Sequence, residues 1–461
     1  MTEAILLVGV ALAIATAVAM VRPGWRIPAL AFGLFAIPGN VDDLMPQMTL
    51  DPHAIAFNTA PAVSFVDVLI LLAVVLTMRD RPDVRGWSRI MAIAVVVAVA
   101  ATATSIVAAW NGVEPLAAVR GIAVFARISA LLFIAAGTAG SWRVDDLCRA
   151  VGVGVVALLA NGVYTTASSD LPRFTAATFG RNSLAFALVA AAVVVAGFCF
   201  ERWWRSGRAR ADALAAALVA GAALLGALAT GTRMALVLFG LAIVVAILHA
   251  RGRSLRAVTK PVAFTALAVM LVAAAAVVGT AGGSRTLSFL TGAGTGSGSL
   301  LDPNVIPGDP EVQSRTEFWS LAVRMTTDSP LAGVGPFQWN VERYAISPET
   351  PVVVADPHNA YLQIGAEFGL IVLVAYVALL VTLQLTIHWR LWRWTRHGPA
   401  PWTVIGMVAA TAIYPFAEVT NSHLFNVRMG AFCWLVMASA FVLVGRLDDH
   451  REGSALDDRT P

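Results

Sequence analysis

The chain contains 461 residues, of which 58% are hydrophobic and only 13% are charged. Its mean hydropathy is +0.76, whereas soluble globular proteins carry about 25% charged residues. The chain has too few polar residues to cover the surface of a water-soluble fold. The composition therefore excludes a cytosolic enzyme, a secreted disulfide scaffold and a disordered chain. The length accommodates about a dozen membrane spans of about 20 residues and one sizeable loop.

Thirteen apolar runs predict an all-α fold, a polytopic transmembrane helical bundle of about 12–13 spans. The first run starts at Ala4 with no basic segment before it, so we interpret it as a retained span and not as a cleaved signal peptide. The second run is short and ends at Pro38-Gly39, which leaves a re-entrant segment open as an alternative. The runs lie near residues 4–21, 26–38, 62–78, 89–109, 115–138, 144–165, 181–200, 211–229, 232–249, 260–279, 359–388, 401–418 and 428–446.

The runs divide the chain into four parts. These are the N-terminal transmembrane helices (1–279, spans 1–10), one large loop (280–358), the C-terminal transmembrane helices (359–446) and a tail (447–461). Within the loop, the apolar spacing from Pro310 to Ser329 predicts a helix that Pro330 ends, followed by a tight turn.

Basic residues orient the spans. The chain has a formal net charge of +4, and Lys260 is its one lysine among 32 basic residues. Most arginines fall in alternate loops, and cytoplasmic loops of membrane proteins collect basic residues. This pattern predicts an outer N-terminus, a cytoplasmic tail and an outer position for the large loop.

Two arginines, Arg120 and Arg127, lie inside one predicted span. They are seven residues apart and therefore share a helix face, with Arg127 about 10 Å deeper. An arginine near the middle of a bilayer costs at least about 2.5–3.5 kcal/mol. We expect either an anion-binding cavity or, as the alternative, a structural ion pair with Asp67 or Glu418.

Arg181 and Arg233 begin two further predicted spans at the outer face. Arginines at such positions often only extend their guanidinium groups to the interface. The alternative is that their guanidinium groups converge on a phosphate, whose oxygens they match in pairs.

His358 is the candidate general base. It closes the large loop where the chain re-enters the membrane, with Asn359 beside it and Tyr361 two residues on. A lone interfacial histidine is more often structural, so this alternative stays open. Asp356 or Glu367 could orient the imidazole ring.

No metal or cofactor is expected. The three cysteines have no metal-binding spacing, and the sequence contains no P-loop, GxSxG or HExxH motif. Asp42-Asp43 in the first outer loop is the nearest acid pair and a weak candidate for catalysis.

Several of these motifs together resemble the O-antigen ligase/polymerase family. They are Phe179-Gly180-Arg181-Asn182, Gly231-Thr232-Arg233-Met234-Ala235, Arg315 through Trp319, Pro330-Leu331-Ala332-Gly333-Val334-Gly335, His358-Asn359-Ala360-Tyr361-Leu362 and Phe368-Gly369-Leu370. The resemblance is best over about 180–375.

The resemblance implies a C-type glycosyltransferase-like enzyme at the outer face of the bacterial cytoplasmic (inner) membrane. It implies transfer of a glycan from an undecaprenyl-diphosphate carrier to an acceptor hydroxyl, without metal, cofactor or nucleic-acid partner. By motif, His358 is the expected base, and Arg233 and Arg315 are expected to hold the diphosphate. Our own inference adds further candidate substrate-binding residues, which are Arg120, Arg127, Arg181, Asn182, Asn359 and Tyr361.

Two alternatives remain. A polymerase of polysaccharide repeat units shares the motifs with a ligase, and the sequence does not separate them. A flippase or transporter of lipid-linked oligosaccharides would also need an arginine-lined cavity. It predicts internal repeats and basic residues on both faces, whereas no repeat is visible and the unexplained arginines lie in the outer half.

Overall fold

The computed structural model describes residues 2–49, 59–82, 87–167, 181–203, 208–230, 232, 234–250, 310–346 and 356–457. These residues form fourteen α-helices and one short antiparallel pair of strands, β1 (Gln47–Thr49) and β2 (Thr59–Pro61). The helices are α1 (Thr2–Ala19), α2 (Arg26–Ala36), α3 (Phe65–Arg79), α4 (Ser88–Trp110), α5 (Pro115–Gly137), α6 (Val144–Ala167), α7 (Arg181–Trp203), α8 (Arg208–Ala229), α9 (Met234–His249), α10 (Pro310–Asp328), α11 (Trp339–Ile346), α12 (Ala360–Thr395), α13 (Trp402–Thr420) and α14 (Val427–Asp457).

Every predicted apolar run except one coincides with a helix. The exception, 260–279, lies outside the described residues, as does much of the predicted loop. Eight of the described helices are long and apolar enough to cross a membrane, namely α4 to α8 and α12 to α14. The protein is therefore a polytopic all-α membrane protein, and the helix predicted from residue 310 is confirmed as α10. The division into four parts stays a prediction.

The short second run forms α2, whose eleven residues extend about 17 Å. At its start, Arg26 Nη2 lies 2.6 Å from Asp80 Oδ2, just after α3 ends. Beyond its end, Asp42 Oδ1 accepts a hydrogen bond of 2.7 Å from the backbone N–H of Phe65, where α3 begins. The helix therefore runs antiparallel to α3, with each of its ends beside one end of α3.

Arg428, in the first turn of α14, closes the end of α2. Its guanidinium donates hydrogen bonds to the carbonyl oxygens of Ile37 and Pro38 and lies 3.2 Å from Asp42 Oδ2. A cation at a helix C-terminus stabilises carbonyl groups that have no partner within the helix. The apolar part of α14 is buried along its whole length and packs against α2, α5, α12 and α13.

The orientation of the bundle can be tested with single cysteines, because all three native cysteines are buried. Asn111→Cys and Leu331→Cys lie at the predicted outer end, where Leu331 is 68% exposed. Gly140→Cys and Gly398→Cys lie at the opposite end with open space around them. We expect a membrane-impermeant maleimide to label the first two in intact cells and the last two only after permeabilisation. The reverse pattern would overturn the predicted orientation.

Candidate active site at one end of the bundle

The site is built around a break in α12. At Gly369 the backbone leaves the helical conformation, with φ 82° and ψ 173°. The turn between α10 and α11 supplies new partners for the backbone groups that the break releases. The hydrogen bonds run from Val334 N to Ala366 O (2.8 Å), from Gly335 N to Glu367 O (3.0 Å) and from Leu370 N to Pro330 O (2.8 Å). The Pro-Leu-Ala-Gly-Val-Gly motif therefore supplies hydrogen-bond partners to the backbone groups of α12 that have none within the helix at the break.

Two glycines make this approach possible. Gly333 and Gly369 both have positive φ values, 66° and 82°. A Cβ atom on Gly333 would lie 2.3 Å from the carbonyl carbon of Glu367, and one on Gly369 would lie 2.3 Å from the carbonyl oxygen of Leu331. No other residue combines the required backbone conformation with this close packing.

A small hydrophobic core packs α10 against α12 near the break. The rings of Phe318 and Trp339 pack edge to face with their centroids 5.6 Å apart, and Ala366 of α12 packs in the same cluster. On α10, Trp319 Nε1 donates a hydrogen bond of 3.1 Å to the carbonyl oxygen of Pro357. The middle of α10 is thereby held beside the turn that carries His358.

His358 lies in this turn in a left-handed conformation, with φ 53°. Asp356 Oδ1 accepts a 2.7 Å hydrogen bond from the backbone N–H of His358 and lies 3.3 Å from its Nδ1. Asn421 Oδ1 lies 3.1 Å from the same Nδ1. Two acceptors at Nδ1 place the proton of the neutral ring there and leave the lone pair on Nε2. The expectation that Asp356 orients His358 agrees with these contacts.

The charges around His358 act in opposite directions. Burial lowers its pKa, but the hydrogen bond and negative charge of Asp356 outweigh burial and raise the pKa above the usual value, while the charge of Arg315 lowers it. For Asp356, burial raises the pKa, but the contacts with His358 outweigh it and lower the pKa. The pair therefore combines a carboxylate with an imidazole of increased basicity.

Arg315 supplies a cation close to the pair. It lies four residues before Trp319 and therefore on the same face of α10. Its side chain is half-buried and makes no hydrogen bond or ion pair with any residue that the structure describes. A guanidinium without a partner beside a basic imidazole suits an anionic ligand.

The segment after α13 connects the site to two distant motifs. His423 is buried and its Nδ1 lies 3.1 Å from Ser183 Oγ in the first turn of α7. Thr232 Oγ1, just before α9, donates a hydrogen bond of 3.2 Å to Asn182 Oδ1. Burial lowers the pKa of His423 to about 3, so its ring is neutral. The start of α7 thus contacts the segment whose Asn421 contacts His358, and the residue before α9 contacts the start of α7.

The predicted intramembrane arginines have protein partners. Arg127 Nε lies 2.8 Å from Asp67 Oδ1, which is the structural ion pair that we held as the alternative. Arg120 donates hydrogen bonds to the carbonyl oxygens of Pro61 and Phe425, and its guanidinium lies over the ring of Phe337 at 5.0 Å. Neither arginine contacts His358, so their binding of substrate stays a prediction.

Other candidates also make structural contacts. Asn359 is the N-cap of α12 and accepts a hydrogen bond of 3.1 Å from Leu362 N. The hydroxyl of Tyr361 donates to the carbonyl oxygen of Pro415 at 3.0 Å. Asp42 pairs with Arg428, and Glu367 Oε1 accepts a hydrogen bond of 3.2 Å from Gln363 Nε2.

Two further predicted site residues, Arg233 and the side chain of Arg181, lie outside the described residues. The sequence interpretation did not find Asn421. Its one signal was the polar run Asn421-Ser422-His423 between two apolar runs at the predicted outer side.

The fold and the site define a polytopic membrane protein with a carboxylate–imidazole pair and a nearby guanidinium at one end of a helical bundle. A family model described as O-antigen ligase matches residues 218–377. The match confirms the resemblance of this chain to the O-antigen ligase/polymerase family, and it includes Arg233, Arg315, the glycine-rich turn and His358. No curated protein matches the chain significantly.

The close backbone contact at the break predicts that substitution of Gly333 or Gly369 destabilises the protein. We expect Gly333→Ala and Gly369→Ala each to destabilise the protein by about 2–5 kcal/mol, because strain at positive φ adds to overpacking. The thermal unfolding temperature of the purified protein measures the effect.

Two other glycines separate these contributions. Gly112 has φ 98° with open space around it, and Gly240 lies within α9, also with open space. Gly112→Ala should destabilise the protein by only about 1–2 kcal/mol, because it adds backbone strain without overpacking. Gly240→Ala should leave the stability unchanged or slightly increase it. Equal unfolding temperatures for all four variants would contradict the role of the close backbone contact.

Proposed function

We propose that this protein transfers a glycan from an undecaprenyl-diphosphate carrier to an acceptor hydroxyl at the outer face of the bacterial cytoplasmic membrane. The observation that carries the proposal is the Asp356–His358 pair with the guanidinium of Arg315 beside it, which has no hydrogen-bond or ion-pair partner among the residues described. The family points to glycosyltransferase activity of the O-antigen ligase/polymerase type. Inner-membrane location and an outward-facing site belong to the proposal.

The arginines would bind the leaving group. As the glycan leaves, the lipid diphosphate keeps its negative charges, and fixed guanidinium groups stabilise them at any pH. Arg315 lies on α10 next to the His358 turn, and Arg233 directly follows Thr232, which is bonded to Asn182. We assign both to the diphosphate, with Arg181 as a further candidate at the start of α7. Arg120 and Arg127 are weaker candidates because the protein already contacts them.

His358 would act as the general base. The acceptor hydroxyl loses a proton as its oxygen attacks the anomeric carbon, and Nε2 of His358 receives that proton while the carbon–oxygen bond to the diphosphate breaks. Asp356 holds the ring in the required tautomer and stabilises the imidazolium that forms. No step requires a metal or a cofactor. Among the described residues no group of three or more possible metal ligands is present.

The nature of the acceptor separates a ligase from a polymerase. Purified protein in EDTA should transfer glycan from a polyprenyl-diphosphate donor, and mass spectrometry of the product should identify donor and acceptor. Transfer to a lipid-anchored or other foreign acceptor indicates a ligase, and growth of the repeat-unit chain indicates a polymerase. Movement of the intact carrier across a vesicle membrane without any transfer would support a flippase instead.

The base assignment predicts a large loss of rate. His358→Ala should lower kcat by about 10²–10⁴-fold, with the affinity for the donor retained. Because Ala at a positive φ adds strain, His358→Asn is the better variant, since Asn tolerates this conformation. His397→Ala, at the opposite end of the bundle, is the control and should keep full activity. An unchanged kcat in both His358 variants would exclude it as the base.

The pH dependence tests the Asp356–His358 pair. The base works when neutral, so the rate should fall as the pH drops below the pKa of His358. Since Asp356 raises that pKa, Asp356→Asn should move the acidic limb of the kcat profile to lower pH and also lower the maximal rate. Asp328→Asn is the matched control, because Asp328 is an exposed aspartate at the end of α10. An acidic limb at the same pH in Asp356→Asn would show that another group titrates.

The cation assignment predicts loss of donor use. Arg315→Ala and Arg233→Ala should each reduce kcat/KM by about 10–100-fold or more, because hydrogen bonds between charged groups contribute about 1.5–3 kcal/mol. Lysine should restore activity poorly, because it lacks the paired donors of arginine. Arg324→Ala is the matched control, as Arg324 lies on the same helix, exposed and 3.7 Å from Asp328. Full activity in both alanine variants would place the diphosphate elsewhere.

A further inference from the structure

A cavity lies beside the glycine-rich turn, and no step above uses it. It has a volume of about 230 Å³ and lies between the end of α4, the turn that leads to α5, and residues 332–342. Its polar lining comes from Thr104, Asn111, Gln338 and Glu342, and its apolar lining includes Val107 and Val113. We refer to it as the α4 cavity.

The polar groups of the α4 cavity are available to a ligand. The side chains of Asn111, Gln338 and Glu342 make no hydrogen bond or ion pair with any residue in the described part of the chain. Two amides that donate and accept, together with a carboxylate that accepts, match the hydroxyl groups of a polyol. The valine side chains can cover the apolar face of a ring.

The charge of the α4 cavity selects against phosphate. None of the described residues that line it is basic, and Glu342 contributes a negative charge. An anion would meet repulsion there, and one carboxylate is too few for a calcium ion, which takes six to eight oxygen ligands. The volume is also below the roughly 300–1,000 Å³ of pockets for drug-sized molecules. The lining and size therefore fit one small uncharged ring.

The α4 cavity and Arg120 share one turn. Gly333 and Gln338 line the cavity, whereas Phe337 between them packs under the guanidinium of Arg120. The same turn is bonded to α12 through Ala366 and Glu367, two turns of helix beyond His358. A ligand in the α4 cavity would therefore be held by the element that also positions the candidate active site.

We propose that the α4 cavity binds an uncharged sugar ring of the glycan substrate. This inference rests on the proposed function, and the ring could belong to the donor or to the acceptor glycan. Asn111, Gln338 and Glu342 would hydrogen-bond the sugar hydroxyl groups. The cavity would act as a specificity subsite that is separate from the diphosphate-binding arginines.

Direct binding tests the subsite without any need for catalysis. The full-length protein is placed in lipid nanodiscs free of glycoside detergents, and saturation-transfer NMR is recorded with glucose, galactose, N-acetylglucosamine and glucuronate. At least one neutral sugar should bind, and Gln338→Ala and Glu342→Gln should weaken its binding by about threefold to tenfold, the effect of one hydrogen bond. Glucuronate should bind more weakly than glucose, and Glu342→Gln should reduce that difference.

Asp328→Asn is the matched control for the charge change and should bind like the unmodified protein. Equal unfolding temperatures of the variants confirm that they fold. Absence of binding by every neutral sugar, or equal binding by all variants, would overturn the proposal.

Transfer kinetics then identify which substrate uses the subsite. Gln338→Ala should raise KM for the donor alone or for the acceptor alone, with kcat nearly unchanged. Unchanged KM values for both substrates would overturn the subsite even if transfer occurs. Sugar binding that depends on Gln338 in a protein that transfers no glycan would instead refute the proposed function and leave the binding site standing.

Discussion

The rest of the structure depends on the hydrogen bonds that the backbone groups of α12 make at the break at Gly369. A helix inside a membrane has no water to bind its peptide groups, and a peptide group without a partner costs roughly 2–7 kcal/mol. The turn from Pro330 to Gly335 supplies these partners. It cannot move away without exposing them, so α10 and α11 are fixed to the membrane helix. The position of Arg315 relative to His358 follows from this attachment.

Buried charges divide the arginines into two groups. Arg26, Arg127 and Arg428 each pair with an aspartate. The first pair links α2 to the end of α3, the second links α5 to α3, and the third links α14 to the segment after α2. The Arg127–Asp67 and Arg428–Asp42 pairs are largely buried. Removing one partner of a buried pair typically destabilises a protein by about 3–5 kcal/mol, so these two pairs hold the helices in place. Arg315 has no such partner among the described residues. Within the described part of the chain, Arg315 is therefore a cation beside His358 without an ion-pair partner, whereas Arg26, Arg127 and Arg428 stabilise the fold.

The sequence predicted the helices well because each is a long apolar run, and the span length sets a clear threshold. It could not decide whether Arg127 meets Asp67 or Glu418, since that depends on helix rotation and packing. Asn421 was missed because 63 residues separate it from His358. The break at Gly369 was also not predictable, as glycine is frequent in unbroken membrane helices. Long-range pairings of this kind need the assembled bundle.

The electrostatics of the site couple the proposed base to the donor. Asp356 raises the pKa of His358 and makes it a stronger base, but a higher pKa also reduces the neutral fraction near pH 7. Arg315 opposes this effect by lowering the pKa of His358, which increases the neutral fraction of the imidazole. A diphosphate bound to Arg315 would offset the positive charge and increase the basicity of His358. Under the proposed function, the base would therefore be strongest when the leaving group is in place, and the same arginine would serve both steps.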